Sequence, residues 1–365
     1  MKRLLVVSEL FHPSIGGQEV RYLELASLFI ENGWEVTVYT IDIYGNLPDC
    51  ETIEGIRVFR LARDAGYRRP ASKLARNPRT ILNFTMRVRE KLKVESFDLV
   101  IFNQWPLLPQ IMLRSVLGRA VKVNDWCEHR SGLAWTCIQT LIAKSSAKHL
   151  AVSAPLQNLI RSRYGVSSIE CIPSGIHRSK YSLSASKKGM LFFGRMAEHK
   201  HPEDAIKGCL IAMEKGYVNG EILTVAGGGP LLSELKEKYG SHSGIHFLGE
   251  ISDEEKLEML SEHRVYLLPS EREGFPRTVA ECMACGTPTI TTDYPDNGTK
   301  DVVREFDCGL VVPPGPEAIA EGLRTLYSDD ALFRKFSENA KRGSESLDWK
   351  TLYEKLIKYL NGDNA

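Results

Sequence analysis

Short apolar runs alternate with amphipathic segments along nearly the whole chain, and they do so twice. That alternation is the mark of repeated βαβ units over a parallel sheet, because each strand is buried on both faces and each helix on one. In the first half, strand-like stretches fall at 3–8, 35–40, 98–102, 121–124 and 149–153, with helical patterns such as Gln18 to Glu31 between them. Gly33 is placed to end that helix. In the second half the strands are predicted at 190–193, 221–226, 246–248, 265–268, 289–291 and 310–312. Ser252 followed by Glu255 forms a capping box for a helix starting near Asp253.

The stretch 182–189 is small and polar with no period, which makes it the expected linker. The predicted division is therefore residues 1–184, residues 185–345 and a final piece, 346–365. This last piece follows a break at Gly343-Ser344, carries a helix from Trp349 to Leu360 capped by Asp348, and is expected to pack back on the first domain. A chain of 365 residues is long enough for each domain to bury a core. The fold class is α/β, with two domains each built on a parallel sheet.

Composition narrows the partners. With 47 basic and 46 acidic residues the net charge is +1, so no global field favours nucleic acid. No apolar run approaches the roughly 18 residues needed to span a bilayer, and Lys2 to Val7 is too short for a signal segment. A cytoplasmic protein is expected. The eight cysteines are scattered; Cys282 and Cys285 lack the second pair of a zinc ribbon, so all read as reduced thiols.

In open α/β sheets ligands bind beyond the carboxyl ends of the strands, and the loops there carry the informative residues. Glu273-Gly-Phe-Pro-Arg-Thr-Val-Ala-Glu281 places one carboxylate in a loop and a second inside the helix that follows. The helix start directs unpaired N–H groups at the loop and suits an anion. The carboxylates would repel phosphate, so neutral hydroxyls, those of a ribose and a sugar ring, are their natural partners. Three glycine loops accompany this segment. Gly16-Gly17 precede a helix without dinucleotide G-x-G-x-x-G spacing. Gly194-Arg195 with Lys200 offers a forked donor and a point charge to a diphosphate. Gly227-Gly-Gly-Pro230 permits close backbone approach. Singly, each also fits a tight turn or a solvated loop.

As an ordered set, these motifs resemble the retaining family-four glycosyltransferases of GT-B architecture, in which two Rossmann-like domains face each other across a cleft. Pro173-Ser-Gly-Ile176, Phe247-Leu-Gly-Glu250 and Met283-Ala-Cys-Gly-Thr-Pro288 extend the resemblance over nearly the whole chain. It implies an acceptor-binding first domain and a nucleotide-sugar-binding second one. Arg195 and Lys200 would hold the donor diphosphate with Gly16 and Gly17 backbone, Glu281 the ribose, Glu273 the transferred sugar, and Gly249, Glu250 and Ile251 the base. Gly194, Gly274, Phe275, Arg277 and Thr278 complete the implied donor set. No cofactor or metal is implied, since the basic side chains would replace a divalent ion. UDP-sugar is the favoured donor and GDP-sugar the next, with a glycan or lipid-linked acceptor.

Three departures from the family pattern stand out. Asn124-Asp125 replaces a His-Asp pair, which makes Asn124 the candidate for a catalytic histidine's place, with His129 as a possible substitute or an ordinary surface histidine. A second Gly-Gly-x-x-Glu loop becomes Asn297-Gly-Thr-Lys-Asp301, whose Lys300 reads as solvated. Arg277 stands at an often neutral position. The missing histidine keeps open a non-catalytic sugar-nucleotide sensor or subunit, and the architecture an epimerase. Finally, Arg57 to Lys93 holds twelve basic residues, among them Arg68, Arg69 and Lys73, against Asp64 and Glu90. Such a stretch suits an anionic membrane surface or a solvated basic face over a core stripe.

Overall fold

The computed structural model describes residues 1–14, 16–67, 76–113, 115–182, 184 and 186–362. Arg68, Arg69 and Lys73, and Leu183 and Ala185 of the expected linker, lie outside the described residues. The chain forms two compact α/β units, Met1–Ser174 together with the chain from Leu352 on, and Gly175–Thr351.

The first unit has strands β1 (Lys2–Val7), β2 (Trp34–Asp42), β3 (Cys50–Ile53), β4 (Ile56–Arg63), β5 (Leu99–Asn103), β6 (Val121–Trp126), β7 (Lys148–Ala151) and β8 (Ile169–Cys171). Between them run α1 (Gly17–Glu31), α2 (Pro78–Val94), α3 (Leu107–Met112), α4 (Leu133–Ser145) and α5 (Ala154–Tyr164). The sheet order is β3-β4-β2-β1-β5-β6-β7-β8, parallel except for the β3–β4 hairpin. Right-handed crossovers put α1, which moves from β1 towards β2, on one face, while α2 to α5, which move the other way, cover the opposite face. Along β6 the side chains accordingly alternate, Asp125 reaching α1 and Asn124 reaching α4.

The hairpin was not foreseen. It turns at Glu54 and Gly55, both at positive φ (49° and 82°), a primed two-residue turn without the usual Asn-Gly signal. Its strand β4 carries Arg57, Arg60 and Arg63, so the basic run 57–93 is not one surface. Arg57 lies over Phe59, Arg60 is buried and donates to the His12 and Pro48 carbonyls, Arg63 pairs with Asp42 and Asp49, and Arg76 pairs with Glu9. Among the described residues of the run, the exposed basic side chains with no carboxylate or ring partner are Arg79, Arg87 and Arg89 of α2.

The second unit has β9 (Lys188–Phe193), β10 (Leu223–Ala226), β11 (Ile245–Gly249), β12 (His263–Leu268), β13 (Thr289–Thr292) and β14 (Gly309–Val312), all parallel in the order β11-β10-β9-β12-β13-β14. Its helices are α6 (Pro202–Glu214), α7 (Leu232–Tyr239), α8 (Asp253–Glu262), α9 (Arg277–Ala284), α10 (Gly298–Phe306), α11 (Pro316–Ser328) and α12 (Asp330–Ser346). Strand alternation builds two cores. Met190, Phe192, Val265 and Leu267 pack with α6 and α11 on one face, and Leu191, Tyr266 and Leu268 pack with α9 on the other. The capping box of α8 is present in both halves, Ser252 with Glu255.

Gly343 does not break the chain: α12 continues through it, and a Cβ there would lie 2.5 Å from the Phe306 ring and 2.9 Å from Met283. The glycine is a packing position. The segment from Gly175 belongs to the second unit, held by Ile176, whose N–H donates to the Leu347 carbonyl and whose carbonyl accepts from Trp349. Helix α13 (Trp349–Asn361) then joins the first unit, where the Tyr359 hydroxyl accepts from the His149 amide at 3.0 Å and Lys355 pairs with Glu170 at 2.9 Å.

His149 is fully enclosed, its Nδ1 accepting from the Trp126 indole at 3.1 Å, and burial lowers its pKa to about 4. The neutral form is the folded form. Its contribution is complete above the unfolded value near 6.5 and is lost as pH falls towards about 4, worth about 3 kcal/mol in total. Urea titrations of His149→Gln between those pH values should show a flatter acid limb than wild type; parallel limbs would remove His149 from the acid response.

Candidate active site

At the carboxyl edge of the second sheet, five loops are fastened to one another. The loop after β9 meets the loop after β10 so closely that a Cβ on Gly227 (φ +115°) would sit 2.1 Å from the Gly194 carbonyl oxygen. Met196 N–H donates to the Gly228 carbonyl at 2.8 Å, and Gly227 N–H to the Gly249 carbonyl at 2.6 Å. The loop after β12 is held in turn: Glu271 N–H donates to the His199 carbonyl at 2.8 Å, Glu273 N–H to the Asp296 carbonyl at 3.1 Å, and Gly298 N–H to the Glu273 carbonyl at 3.0 Å. Buried Asn297 braces this corner, capping α10 through Thr299 N–H and donating to Thr291 and Thr292.

On this frame the predicted residues converge. Lys200, from the short turn after β9, forms an ion pair with Glu273, from the loop after β12, and both side chains are mostly buried. Gly274 and Phe275 follow, and α9 then begins behind Pro276 with no side chain capping its first N–H groups. Thr278 lies in that first turn. Glu281, one helical turn on and 2% exposed, accepts at one oxygen from Arg277 Nε (3.1 Å) and from Lys256 Nζ (3.2 Å). Glu250 comes up against Gly228, with Gly249 and Ile251 beside it. Arg195 is exposed and has no carboxylate partner among the described residues. Burial and the Lys200 charge lower the pKa of His199, keeping it neutral beside the pair.

Sequence reading missed Lys256. Its cue would have been a lone cation in an otherwise acidic first turn of α8, and nothing in spacing connects it to a carboxylate 25 positions away. Lys300 is not simply solvated, since its ammonium donates to the Tyr294 and Pro295 carbonyls at 2.6 and 2.8 Å. That contact ties the start of α10 to the loop before it.

In the first unit the expected residues separate. Gly16 and Gly17 do open α1, but the Glu19 carboxylate folds back over that helix start, 2.5 Å from where a Gly16 Cβ would be, and accepts from the Ser14 hydroxyl. The chain's own carboxylate thus answers the helix dipole. Asn124 lies near the carboxyl end of β6, opposite Phe102 of β5, but its side chain turns away from the loops. Its amide is buried under α4, donating to the Ile142 carbonyl and the Ser145 hydroxyl at 2.9 Å each, which removes it from the candidate catalytic set. His129 lies beside Tyr164 with the two rings tilted by 43°, and its Nε2 hydrogen-bonds the Tyr164 hydroxyl at 3.1 Å. Unforeseen instead is a buried cluster in which Asp125 accepts from Arg21 Nε (3.1 Å) and the Tyr22 hydroxyl (2.8 Å).

Residues 15–180 match the family profile described as Glycosyltransferase Family 4, and residues 175–343 match Glycosyl transferases group 1. The chain belongs to the family 4, group 1 glycosyltransferases. This glycosyltransferase is 22% identical to an uncharacterized glycosyltransferase of Methanocaldococcus jannaschii, over 98% of its own length and 97% of that protein's. A sucrose-phosphate synthase from Thermosynechococcus elongatus superposes with a TM-score of 0.78 at 20% identity, covering 100% of both chains. The Anabaena protein HepE, solved in complex with UDP and glucose, gives 0.75 at 16% identity over 99% of this chain and 100% of that one. At such identities the likeness is one of fold, and the fold of this glycosyltransferase is GT-B.

Proposed function

We propose that this glycosyltransferase transfers a sugar, with retention of anomeric configuration, from a nucleotide-sugar donor to a glycan or lipid-linked hydroxyl in glycoconjugate or cell-envelope polysaccharide synthesis. The observation that carries the donor side is the Lys200–Glu273 pair set directly ahead of the uncapped start of α9. Without ligand the two charges neutralise each other. A diphosphate takes the ammonium, aided by the N–H groups of α9 and the unpaired Arg195, and the released carboxylate accepts from hydroxyls of the sugar. Glu281, fixed by Arg277 and Lys256, presents its carboxylate to the ribose. UDP is the favoured nucleotide, in line with the UDP and glucose bound by HepE, and GDP is next.

In the proposed reaction the acceptor hydroxyl attacks the anomeric carbon on the face from which the diphosphate departs, and the leaving phosphate oxygen takes the acceptor proton. Arg195, Lys200 and the α9 start stabilise the charge on the leaving group, the task a divalent ion would otherwise perform. The second unit is the donor domain in this proposal and the first unit the acceptor domain, working on the cytoplasmic side of an anionic membrane.

The test is release of nucleoside diphosphate from UDP-, GDP- and ADP-sugars, with and without acceptor and with and without chelator, followed by NMR of the product anomer. Release from one donor class, insensitive to chelator and giving a retained anomer, is expected. Activity abolished by chelator and restored by magnesium would refute the assignment of the cation's task to Arg195 and Lys200. The burial of Asn124 where relatives of this pattern carry a histidine favours a sensor as the second reading; tight donor binding with no release under any acceptor would select it.

A further inference from the structure

Basic charge in the first unit is concentrated on one face. Helices α2 to α5 hold eight Lys and Arg against one acidic residue, Glu90, whereas on the opposite face α1 holds three acids and one arginine, and α13, whose Tyr353 meets Phe29 of α1, adds Glu354, Lys355 and Lys358. In a chain of net charge +1 this is a strong local field. Arg79, Arg87 and Arg89 of α2 are exposed and have no carboxylate partner among the described residues, and the single acid of the layer pairs with Lys93.

The same layer is apolar where it should be most polar. Helix α4 has no charged residue before Lys144. Leu133 is 84% exposed, Leu141 is 53% exposed, and Cys137 between them is exposed, so the three recur at four-residue spacing along one outward stripe. Leu82 and Met86 of α2 and Met112 of α3 are exposed as well, and α2, α3 and α4 are successive neighbours over the sheet. A solvated helix keeps polar residues outward; an apolar stripe bordered by unpaired cations matches the boundary of an anionic bilayer, where apolar side chains enter and Lys and Arg meet the headgroups. No helix among the described residues is long and apolar enough to cross a membrane.

We propose that the α2–α5 layer docks the protein on an anionic lipid surface, with Leu133, Cys137 and Leu141 of α4 entering the interface and the α2 arginines contacting the headgroups. Because α4 starts one loop beyond the carboxyl end of β6, Leu133 lies towards the edge of the sheet where ligand-binding loops gather, so docking would bring lipid to that edge. The docking itself does not depend on the proposed transfer reaction. Transfer can fail with docking intact, and the reverse.

Flotation of the full chain with phosphatidylcholine vesicles, with and without phosphatidylglycerol, tests this. Binding to the phosphatidylglycerol vesicles that weakens with salt is expected, with little binding to phosphatidylcholine alone. Arg87→Glu with Arg89→Glu should cut partition by about twenty-fivefold or more, at roughly fivefold for each basic residue removed. Leu133→Ser with Leu141→Ser should reduce it severalfold while preserving the salt dependence. A polarity-sensitive label on Cys137, in a Cys50→Ser background, should shift to the blue on binding. Equal binding to both vesicle types, unchanged binding of both variants, or an unshifted Cys137 label would overturn the proposal. Self-association in solution that Leu133→Ser/Leu141→Ser abolishes would also overturn it, assigning the face to a second copy of the chain.

Discussion

Glu273→Gln and Lys200→Ala will each lower sugar transfer by a hundredfold or more without altering the fold. In the free protein the two side chains neutralise each other across the loops after β9 and β12, and each is only partly exposed, 20% for Lys200 and 12% for Glu273. In the proposed reaction each serves the donor instead, and a charge-assisted contact to developing charge in an enclosed site contributes about 3 to 4 kcal/mol, two to three orders of magnitude in rate. The glutamine keeps the size and one acceptor of Glu273 but cannot hold Lys200 as an ion pair, so its effect separates charge from shape. Steady-state kinetics on variants whose circular dichroism matches wild type decide the matter; near-normal turnover in either would take that residue out of the site.

Stability should fail at a different place. Asp125→Ala strands the Arg21 guanidinium and the Tyr22 hydroxyl, both enclosed between α1 and β6. Burial opposes the charge on Arg21, and Asp125 more than offsets it, holding the arginine's pKa above its ordinary value. Removing one partner of a buried pair costs about 3 to 5 kcal/mol, since the other remains desolvated and unpaired. In a unit of this size that should lower the melting temperature by roughly 10 °C. The double substitution Asp125→Leu with Arg21→Met should recover most of the loss. If Asp125→Ala melts within a degree or two of wild type, the pair has no structural weight.

The parallel strands of both sheets other than β4 and β8, and the carboxyl-edge loops, were legible because their cause is local: period, turn chemistry and glycines at close approaches all lie within a few residues of each other. Glu273, Lys200 and Glu281, which the structure brings to the carboxyl edge of the second sheet, were singled out that way. The β3–β4 hairpin was hidden by arginines that point out of β4 into partners such as the His12 carbonyl, 48 positions away. Asn124 was misplaced because a strand's position in sequence does not say which face its side chain takes until the neighbouring helices are assigned. Lys256 and the Arg21–Asp125 cluster are contacts of tertiary packing, and no spacing rule connects their members. Gly343 read as a break because glycine's local meaning and its packing meaning are indistinguishable without Phe306 and Met283 beside it.

The interlock of Gly227 with the Gly194 carbonyl bears on any attempt to change what this protein uses as donor. Three loops that share backbone hydrogen bonds and leave no room for a side chain at their crossing form a single part, although they are separated by more than thirty residues of chain at one step and about twenty at the next. A transplant of one of them from a relative would arrive with its counterparts missing. Under the proposed function, a change of donor would have to exchange segments 194–196, 227–231 and 249–251 together, with 271–273 and 296–298, which the same backbone hydrogen bonds hold in place.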